Sequence, residues 1–171
     1  YAPRPYDLQE HVFDRNRKRT HRVLKEFRAL LDSYPQRMAV GEVFSPPPGD
    51  PELSASYLGD GLDELHLVFD FSLLYSKWSG RSFLKSIRKW TALIPEDGWP
   101  CHVLSNHDQP RHVGRYRSGA HTLARARVAA AFLLTLKGTP FIYYGEEIGM
   151  SEGKIQRRDI KDPAGKKYWP F

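Results

Sequence analysis

The stretch at residues 104–111 reads Leu-Ser-Asn-His-Asp-Gln-Pro-Arg, and it continues an apolar, strand-like run that begins at Cys101. Within this stretch a carboxylate, an imidazole and a guanidinium lie close together, just where the predicted strand ends. Parallel α/β folds keep their catalytic groups at the carboxyl ends of their strands. The stretch therefore predicts a parallel α/β fold with a functional site at this point.

A second acid closes another apolar run. Residues 38–40 lead into Gly41 and Glu42. Because the carboxyl ends of parallel strands meet at one edge of a sheet, Glu42 and Asp108 are expected to share one site. The residues after Glu42 are apolar, and apolar surroundings make a carboxyl group a better proton donor near neutral pH. The alternative is a structural glutamate that pairs with an arginine at the sheet edge.

Hydrophobic periodicity divides the chain into alternating helices and strands. The predicted helices cover about 15–33, 51–58, 82–94 and 121–137, and the predicted strands about 38–44, 65–71, 101–106 and 139–144. Strands separated by helices imply parallel pairing with right-handed crossovers. The last helix is apolar nearly all round, which predicts that it is well buried. Residues 1–150 are expected to form one domain, and residues 151–171 a polar connection.

Composition narrows the class of protein. The 171 residues are 40% hydrophobic and 27% charged, which is typical of a soluble globular chain. No run approaches the roughly 18 apolar residues of a membrane span, so no membrane partner is predicted. The single cysteine, Cys101, leaves no internal disulfide and favours a cytoplasmic location. The chain opens at Tyr1 with no leader, so we expect it to begin inside a longer protein.

The basic balance raises the question of nucleic-acid binding. The net charge is +6, and much of the excess lies within residues 15–28. On a helix these side chains would cover the solvent side while Leu24, Phe27 and Leu31 face inward. We therefore interpret them as a solvated helix face and predict no nucleic-acid partner; a phosphate-binding stripe is the alternative. The basic residues are Arg15, Arg17, Lys18, Arg19, Arg22, Lys25 and Arg28.

Each polar residue near 107–111 also has a structural alternative. Asp108 could form an Asx turn or a helix cap, and His107 could be an ordinary structural histidine. Because His107, Asp108 and Arg111 lie within one turn of each other, we favour a functional site over these structural alternatives. Arg111 could hold Asp108 ionised or donate to sugar hydroxyls.

Other chemistries find less support. His102, His107, Asp108 and His112 could suggest a metal site, but His102 and His107 would point to opposite faces of a strand, so no metal is predicted. A nucleophilic Cys101 is disfavoured because it lies early in its strand. No glycine-rich phosphate loop precedes a helix, and no cofactor is predicted.

Three segments taken together resemble the α-amylase superfamily of glycoside hydrolases, most closely its α-glucosidase and oligo-1,6-glucosidase branch. They are residues 41–44, 104–111 and 138–149. The resemblance implies an α/β fold of the (β/α)8 TIM-barrel type with catalytic groups at the carboxyl ends of its strands. On that pattern the chain is the second half of the barrel, with strands 5–8 and their flanking helices.

The same resemblance implies roles for individual residues. Glu42 would be the general acid/base, and Asp108 would stabilise the transition state by holding sugar hydroxyls. His107 and Arg111 would bind the substrate. The implied substrate is an α-glucoside or an oligosaccharide of the maltose or isomaltose type, from which glucose is released.

The chain departs from the family pattern in one respect. The family's nucleophilic aspartate belongs to a motif of the type Gly-Phe-Arg-x-Asp, which does not occur in this sequence. We expect the isolated chain to be inactive and, with open sheet edges, to self-associate or to pair with the other half of the barrel. The alternative function is that of a non-catalytic barrel relative used for protein interaction. Such proteins often lack the catalytic acids, so the presence of Glu42, His107 and Asp108 argues against it.

Overall fold

A computed structural model of the protein describes residues 8–43 and 49–168. Its four strands are β1 (Val40–Gly41), β2 (Leu67–Asp70), β3 (Cys101–Val103) and β4 (Thr139–Phe141). They form one sheet in the order β1-β2-β3-β4, and every neighbouring pair is parallel. The predicted parallel α/β architecture is therefore confirmed.

Helices connect the strands in the predicted alternation. They are α1 (Lys18–Asp32), α2 (Pro51–Ser56), α3 (Gly80–Leu93), α4 (His112–Arg115), α5 (Thr122–Thr135) and α6 (Pro163–Tyr168). Short 3-10 helices cover Phe71–Tyr75, Gly119–His121, Glu146–Ile148 and Arg157–Asp159. The sequence did not predict α4, because a four-residue helix is too short to show a hydrophobic period.

The strands are shorter than their apolar runs. β1 has two residues and β3 has three, although runs of about six or seven were predicted. The residues beyond each strand leave the ladder at the carboxyl edge, where the connections to the helices begin. Phe44, which was predicted to end the first strand, lies outside the described residues. The short strands leave Glu42 and residues 104–108 in connections.

The two faces of the sheet pack differently. Val68 joins Tyr57, Leu58 and Leu65 in a buried cluster against which Leu24 of α1 packs. Because successive strand residues point to opposite faces, Phe69 faces the other way and packs with aromatic and aliphatic side chains of the neighbouring strands. That second cluster contains Phe69, Phe71, Leu74, Tyr75, Val103 and Phe141.

The predicted burial of α5 is wrong, and the prediction that one side of α1 faces inward holds for Leu24 but not for Phe27. In α5, Ala129 and Leu133 are buried, but Val128 and Leu134 are 58% and 57% exposed. The helix contacts the core through one narrow stripe, so its apolar character on the other sides does not produce burial. In α1 no residue is fully buried, and Phe27 is 44% exposed although it was expected to face inward.

Residues 18–151 form one compact unit, which carries the whole sheet, and the described residues 8–17 and 152–168 form another. In the second unit, His11 and Asp14 form an ion pair with a 3.0 Å contact, and Asp162 accepts a hydrogen bond from the Gly165 N–H at the start of α6. Within the described ranges, no helix combines the length and the apolar character needed to cross a membrane.

Candidate active site

Three side chains meet at the carboxyl edge of the sheet. Glu42 follows β1, and His107 and Asp108 lie in the connection after β3. One side-chain nitrogen or oxygen atom from each residue lies within 4.8 Å of the other two. The sheet order puts β2 between β1 and β3, so the two connections reach toward each other across the end of β2. The predicted convergence of Glu42 and Asp108 is therefore present in the structure.

The cluster is open to solvent. His107 Nε2 lies 3.6 Å from Asp108 Oδ1, and these side chains are 64% and 59% exposed. Glu42 is exposed as well, so the expectation of apolar surroundings for its carboxyl group is wrong for the described residues. Two carboxylates and an imidazole at such distances can accept hydrogen bonds from a polyhydroxylated ligand and exchange protons with it.

Gly41 explains how the first acid reaches this position. A Cβ atom added at Gly41 would collide with Cδ1 of the Leu65 side chain, so a larger residue here would require that side chain to move. Gly41 thus permits the close approach of Leu65 beside Glu42.

A cleft of about 180 Å³ adjoins the cluster. Its floor is the aromatic face of the sheet, where the Phe69 and Phe141 rings pack edge to face with their centroids 4.6 Å apart. Its rim carries Glu42, Asn106 and His107. Apolar walls with a few convergent polar groups are typical of small-molecule sites. The complete lining consists of Glu42, Phe69, Phe71, Val103, Ser105, Asn106, His107, Phe141, Ile142 and Tyr143.

Arg111 lies beside this cleft in a mostly buried position. Its guanidinium carbon is 4.4 Å from the centroid of the Tyr143 ring and 4.8 Å from that of Tyr144. Its Nη1 donates to the Tyr144 carbonyl over 2.5 Å. Cation–π contacts and this hydrogen bond therefore fix the guanidinium, and they hold Tyr143 at the wall of the cleft. The predicted contact between Arg111 and a sugar stays a prediction.

A buried polar cluster lies under the same edge. His112 Nδ1 lies 2.8 Å from Glu146 Oε1, and the two side chains are 5% and 4% exposed. Burial alone would raise the pKa of Glu146, but hydrogen bonds from His112, Ser105 and the Tyr143 N–H outweigh burial and lower that pKa. The sequence analysis missed this cluster, because its members are up to 41 residues apart.

The turn after β4 brings Glu146 to His112. Gly145 has a φ of +88°, a left-handed conformation that disfavours side chains, and the Met150 side chain packs where a Cβ would lie. The signal in the sequence was the acidic pair directly after a strand and a glycine.

The four-residue metal set considered from the sequence does not assemble, although Glu42, His107 and Asp108 lie close enough together to hold a metal ion. His102 is buried and its Nε2 lies 3.1 Å from the Lys137 carbonyl, while His112 pairs with Glu146, so neither joins His107 and Asp108. Burial, together with the nearby Asp70 carboxyl, raises the pKa of Cys101 to about 12, which keeps the thiol protonated and unreactive near neutral pH.

A larger cleft, of about 300 Å³, lies between α3 and the 3-10 helix Phe71–Tyr75. Its polar lining consists of hydroxyl groups and two lysines, and several of the hydroxyls already have partners: Ser72 Oγ donates to Asp70, and Ser76 Oγ lies 2.9 Å from Ser86 Oγ. The smaller cleft beside Glu42 and His107 has the better combination of shape and chemistry, and we take it as the candidate active site.

Known proteins resemble this chain in sequence. The sequence pattern of the alpha amylase catalytic domain matches residues 2–168. A probable alpha-glucosidase of Rhizobium meliloti is 37% identical over 99% of this chain and 30% of its own length. A probable oligo-1,6-glucosidase of Bacillus subtilis is 37% identical over 88% of this chain and 29% of its own length.

Solved structures of similar proteins superpose on this chain. The crystal structure of an alpha-glucosyl transfer enzyme, XgtA, superposes with a TM-score of 0.83 at 36% identity, over 97% of this chain and 30% of that one. A trehalose-6-phosphate hydrolase of Bacillus licheniformis superposes with a TM-score of 0.63 at 30% identity, over 78% of this chain and 26% of that one. The chain thus spans about 30% of the length of such relatives. By sequence pattern and by fold, the chain belongs to the alpha-amylase family and has the α/β fold of its catalytic domain.

Proposed function

We propose that this chain is the second half of the (β/α)8 catalytic barrel of a retaining glycoside hydrolase that cleaves α-glucosidic bonds and releases glucose. The observation that carries the proposal is the meeting of Glu42, His107 and Asp108 within 4.8 Å at the carboxyl edge of a parallel sheet. Membership of the alpha-amylase family and relatives named as alpha-glucosidase and oligo-1,6-glucosidase support it. The substrate is an α-glucoside or a maltose- or isomaltose-type oligosaccharide.

Glu42 acts as the general acid and then as the general base. It protonates the glycosidic oxygen as the bond breaks, and its carboxylate then takes a proton from the water that releases glucose. The exposed carboxyl at the rim of the cleft is accessible both to a leaving group and to water.

Asp108 and His107 hold the sugar while it reacts. Their hydrogen bonds to sugar hydroxyls strengthen as the ring takes on oxocarbenium character, which lowers the barrier rather than only tightening binding. Arg111 contributes to substrate binding in this proposal: its guanidinium packs on Tyr143, which lines the cleft, and it has N–H groups beyond the one given to Tyr144.

The nucleophile comes from the first half of the barrel in this proposal. Retention of configuration needs a second carboxylate about 5–5.5 Å from the acid/base, which forms the covalent glycosyl ester. The motif that supplies it in the family does not occur in these 171 residues. The isolated chain is therefore inactive, and its apolar surfaces pair with the other half or with a second copy. Ile142 and Leu134, 51% and 57% exposed, belong to those surfaces.

Substitution of Glu42 by glutamine in the full-length protein tests the proposal. Because the amide cannot donate a proton to the glycosidic oxygen, turnover of an aryl α-glucoside should fall by about 10²- to 10⁴-fold. Glu52, an exposed glutamate of α2, offers the matched control, and its substitution by glutamine should leave turnover unchanged. Activity of Glu42→Gln within about tenfold of wild type would remove Glu42 from this role.

The same assay separates hydrolysis from glucosyl transfer. The relative with a TM-score of 0.83 is named as an alpha-glucosyl transfer enzyme. Free glucose and glucosylated acceptor should therefore both be measured, with maltose and with isomaltose as donors. Absence of both products with the wild-type protein would contradict the proposed function.

A further inference from the structure

Hydrogen bonding joins the two ends of the connection between β3 and α4. Residues 106–111 carry His107 and Asp108, and they are preceded by Ser105 and followed by His112. The backbone N–H of His112 donates to Ser105 Oγ over 2.9 Å. Ser105 Oγ also lies 3.2 Å from His112 Nδ1, so two contacts between these residues close the six-residue loop at its base.

Glu146 joins the same closure from the turn after β4. Its Oε1 lies 2.8 Å from His112 Nδ1, and its Oε2 accepts a hydrogen bond from the Tyr143 N–H over 2.9 Å. A carboxylate only accepts hydrogen bonds, so Nδ1 of His112 carries the proton it shares with Glu146. Ser105 Oγ accepts from the His112 backbone and is left to donate its hydroxyl hydrogen to Glu146.

Burial makes this set of bonds rigid. Ser105 is fully buried, and the side chains of His112 and Glu146 are 5% and 4% exposed. Hydrogen bonds to a charged group are worth more when water cannot compete for them. Ser105, His112 and Glu146 all belong to the compact unit of residues 18–151.

The loop of residues 106–111 has hydrogen bonds of its own, but two of its side chains are exposed. Asn106 Oδ1 accepts hydrogen bonds from the Asp108 and Gln109 N–H groups, over 3.1 Å and 2.8 Å. His107 and Asp108 themselves are more than half exposed. Their positions relative to Glu42 therefore depend on where the base of the loop is fixed.

We propose that Ser105, His112 and Glu146 form a buried clamp that fixes residues 106–111 and thereby positions His107 and Asp108 opposite Glu42. These three are positioning residues, because none of them contributes to the exposed cluster that would meet the substrate. The catalytic half of this inference rests on the proposed function, whereas the structural half does not.

The test uses Glu146→Gln in the full-length protein. Glutamine has one acceptor oxygen and one NH₂ group, so at least one of the three donors now bonded to Glu146 would face another donor. Glu64→Gln is the matched control: Glu64 Oε2 lies 2.9 Å from His21 Nδ1 in a second His–Glu pair, located before β2. Ser105→Ala is a milder second variant, which keeps the test decisive if Glu146→Gln fails to fold.

Two measurements are made on folded protein. Hydrogen–deuterium exchange of the peptide covering residues 106–111 should accelerate by at least about tenfold in Ser105→Ala and Glu146→Gln and stay unchanged in Glu64→Gln. The kcat for an aryl α-glucoside should fall by about 10- to 100-fold in the clamp variants, since small misplacements of catalytic groups are costly. The KM should change far less, because the misplaced contacts matter most in the transition state. General loss of folded enzyme would also lower the apparent kcat at constant KM, but it would not accelerate exchange selectively in this loop.

The outcomes separate the two proposals. Unchanged loop exchange in both folded clamp variants would overturn the clamp. Faster exchange with an unchanged kcat would overturn its positioning role. Faster exchange in a protein whose wild type lacks glucosidase and glucosyl-transfer activity would leave the clamp standing and refute the proposed function.

Discussion

Both edges of the sheet contain a His–Glu pair with a buried glutamate, but among the described residues only the carboxyl edge also holds two acids close together and exposed. At the amino edge, just before β2, Glu64 is buried and pairs with His21 of α1 over 2.9 Å, and Arg28 donates to the Leu62 and Glu64 carbonyls. At the carboxyl edge, Glu42 and Asp108 are exposed and close to each other. Removing one partner of a buried pair is destabilising, whereas gathering two like charges without a cation between them costs stability. The difference indicates that the amino edge holds the fold together and the carboxyl edge is kept available for a ligand.

The largest effect on turnover at either edge of the sheet is expected from Asp108→Asn. If the carboxyl edge is functional, the substitution should lower kcat for an aryl α-glucoside in the full-length protein by about 10²- to 10³-fold, because a neutral amide stabilises developing positive charge poorly. The free energy of unfolding, measured in urea, should stay level or rise slightly, since a repulsion with Glu42 is relieved. A large loss of stability with normal turnover would reverse the assignment of the two edges.

The sequence predicted this edge for a physical reason. Carboxyl ends of parallel strands must meet, so Glu42 and Asp108 could be placed together although 65 residues separate them. The clamp could not be predicted in this way. It depends on the left-handed turn at Gly145, which aims Glu146 back at His112, and a tertiary contact of that kind leaves no periodic pattern.

The burial of individual side chains is the property that the sequence predicted least well. An apolar helix such as α5 reads as buried on all sides, but the structure buries only the stripe that contains Ala129 and Leu133. Likewise, the apolar sequence around Glu42 suggested enclosure, whereas its carboxyl group lies at an open rim. Periodicity reports which side chains are apolar; which of them are covered depends on how the elements pack.

The carboxyl edge also carries a buried acid outside the open cluster, and this acid should make the stability of the protein depend on pH. Asp70 ends β2, is 1% exposed and accepts hydrogen bonds from the N–H and hydroxyl of Ser72. Burial raises the pKa of Asp70 to about 6, against the opposing effect of those hydrogen bonds. Between pH of roughly 4 and 6 the folded state therefore retains a proton that the unfolded state has released.

The free energy of unfolding should consequently fall as the pH rises from about 4 to 6 and level off above that window, with Asp70 accounting for about 2 to 3 kcal/mol of the fall. Asp70→Asn should remove this part of the fall, because the amide does not ionise. Urea unfolding at a series of pH values measures the effect, and Asp97→Asn, at an exposed turn, is the control. A wild-type curve that rises through this window and is unaltered by Asp70→Asn would contradict the assignment.

At the amino edge, Glu64→Gln is expected to act on stability alone. One amide oxygen can still accept from His21, so the loss should be about 1 kcal/mol, from the lost charge on a buried hydrogen bond. Thermal or urea unfolding gives this value, and kcat per folded molecule should equal that of the wild type. A selective loss of kcat would show that the amino edge also serves the site.

The smallest expected effect belongs to the basic side of α1. Lys25 contacts Asp63 over 2.8 Å and Arg28 contacts Asp32 over 3.0 Å, so two of the basic residues already have acidic partners. Lys18, Arg19 and Arg22 are exposed. A triple substitution of these three by glutamine should leave turnover and the urea midpoint unchanged, because exposed charges contribute little at moderate ionic strength. Heparin retention that the triple variant loses, and that falls steeply with salt in the wild type, would instead show a phosphate-binding stripe. It would also make α1 a second functional surface, so that the amino side of the sheet could no longer be assigned to stability alone.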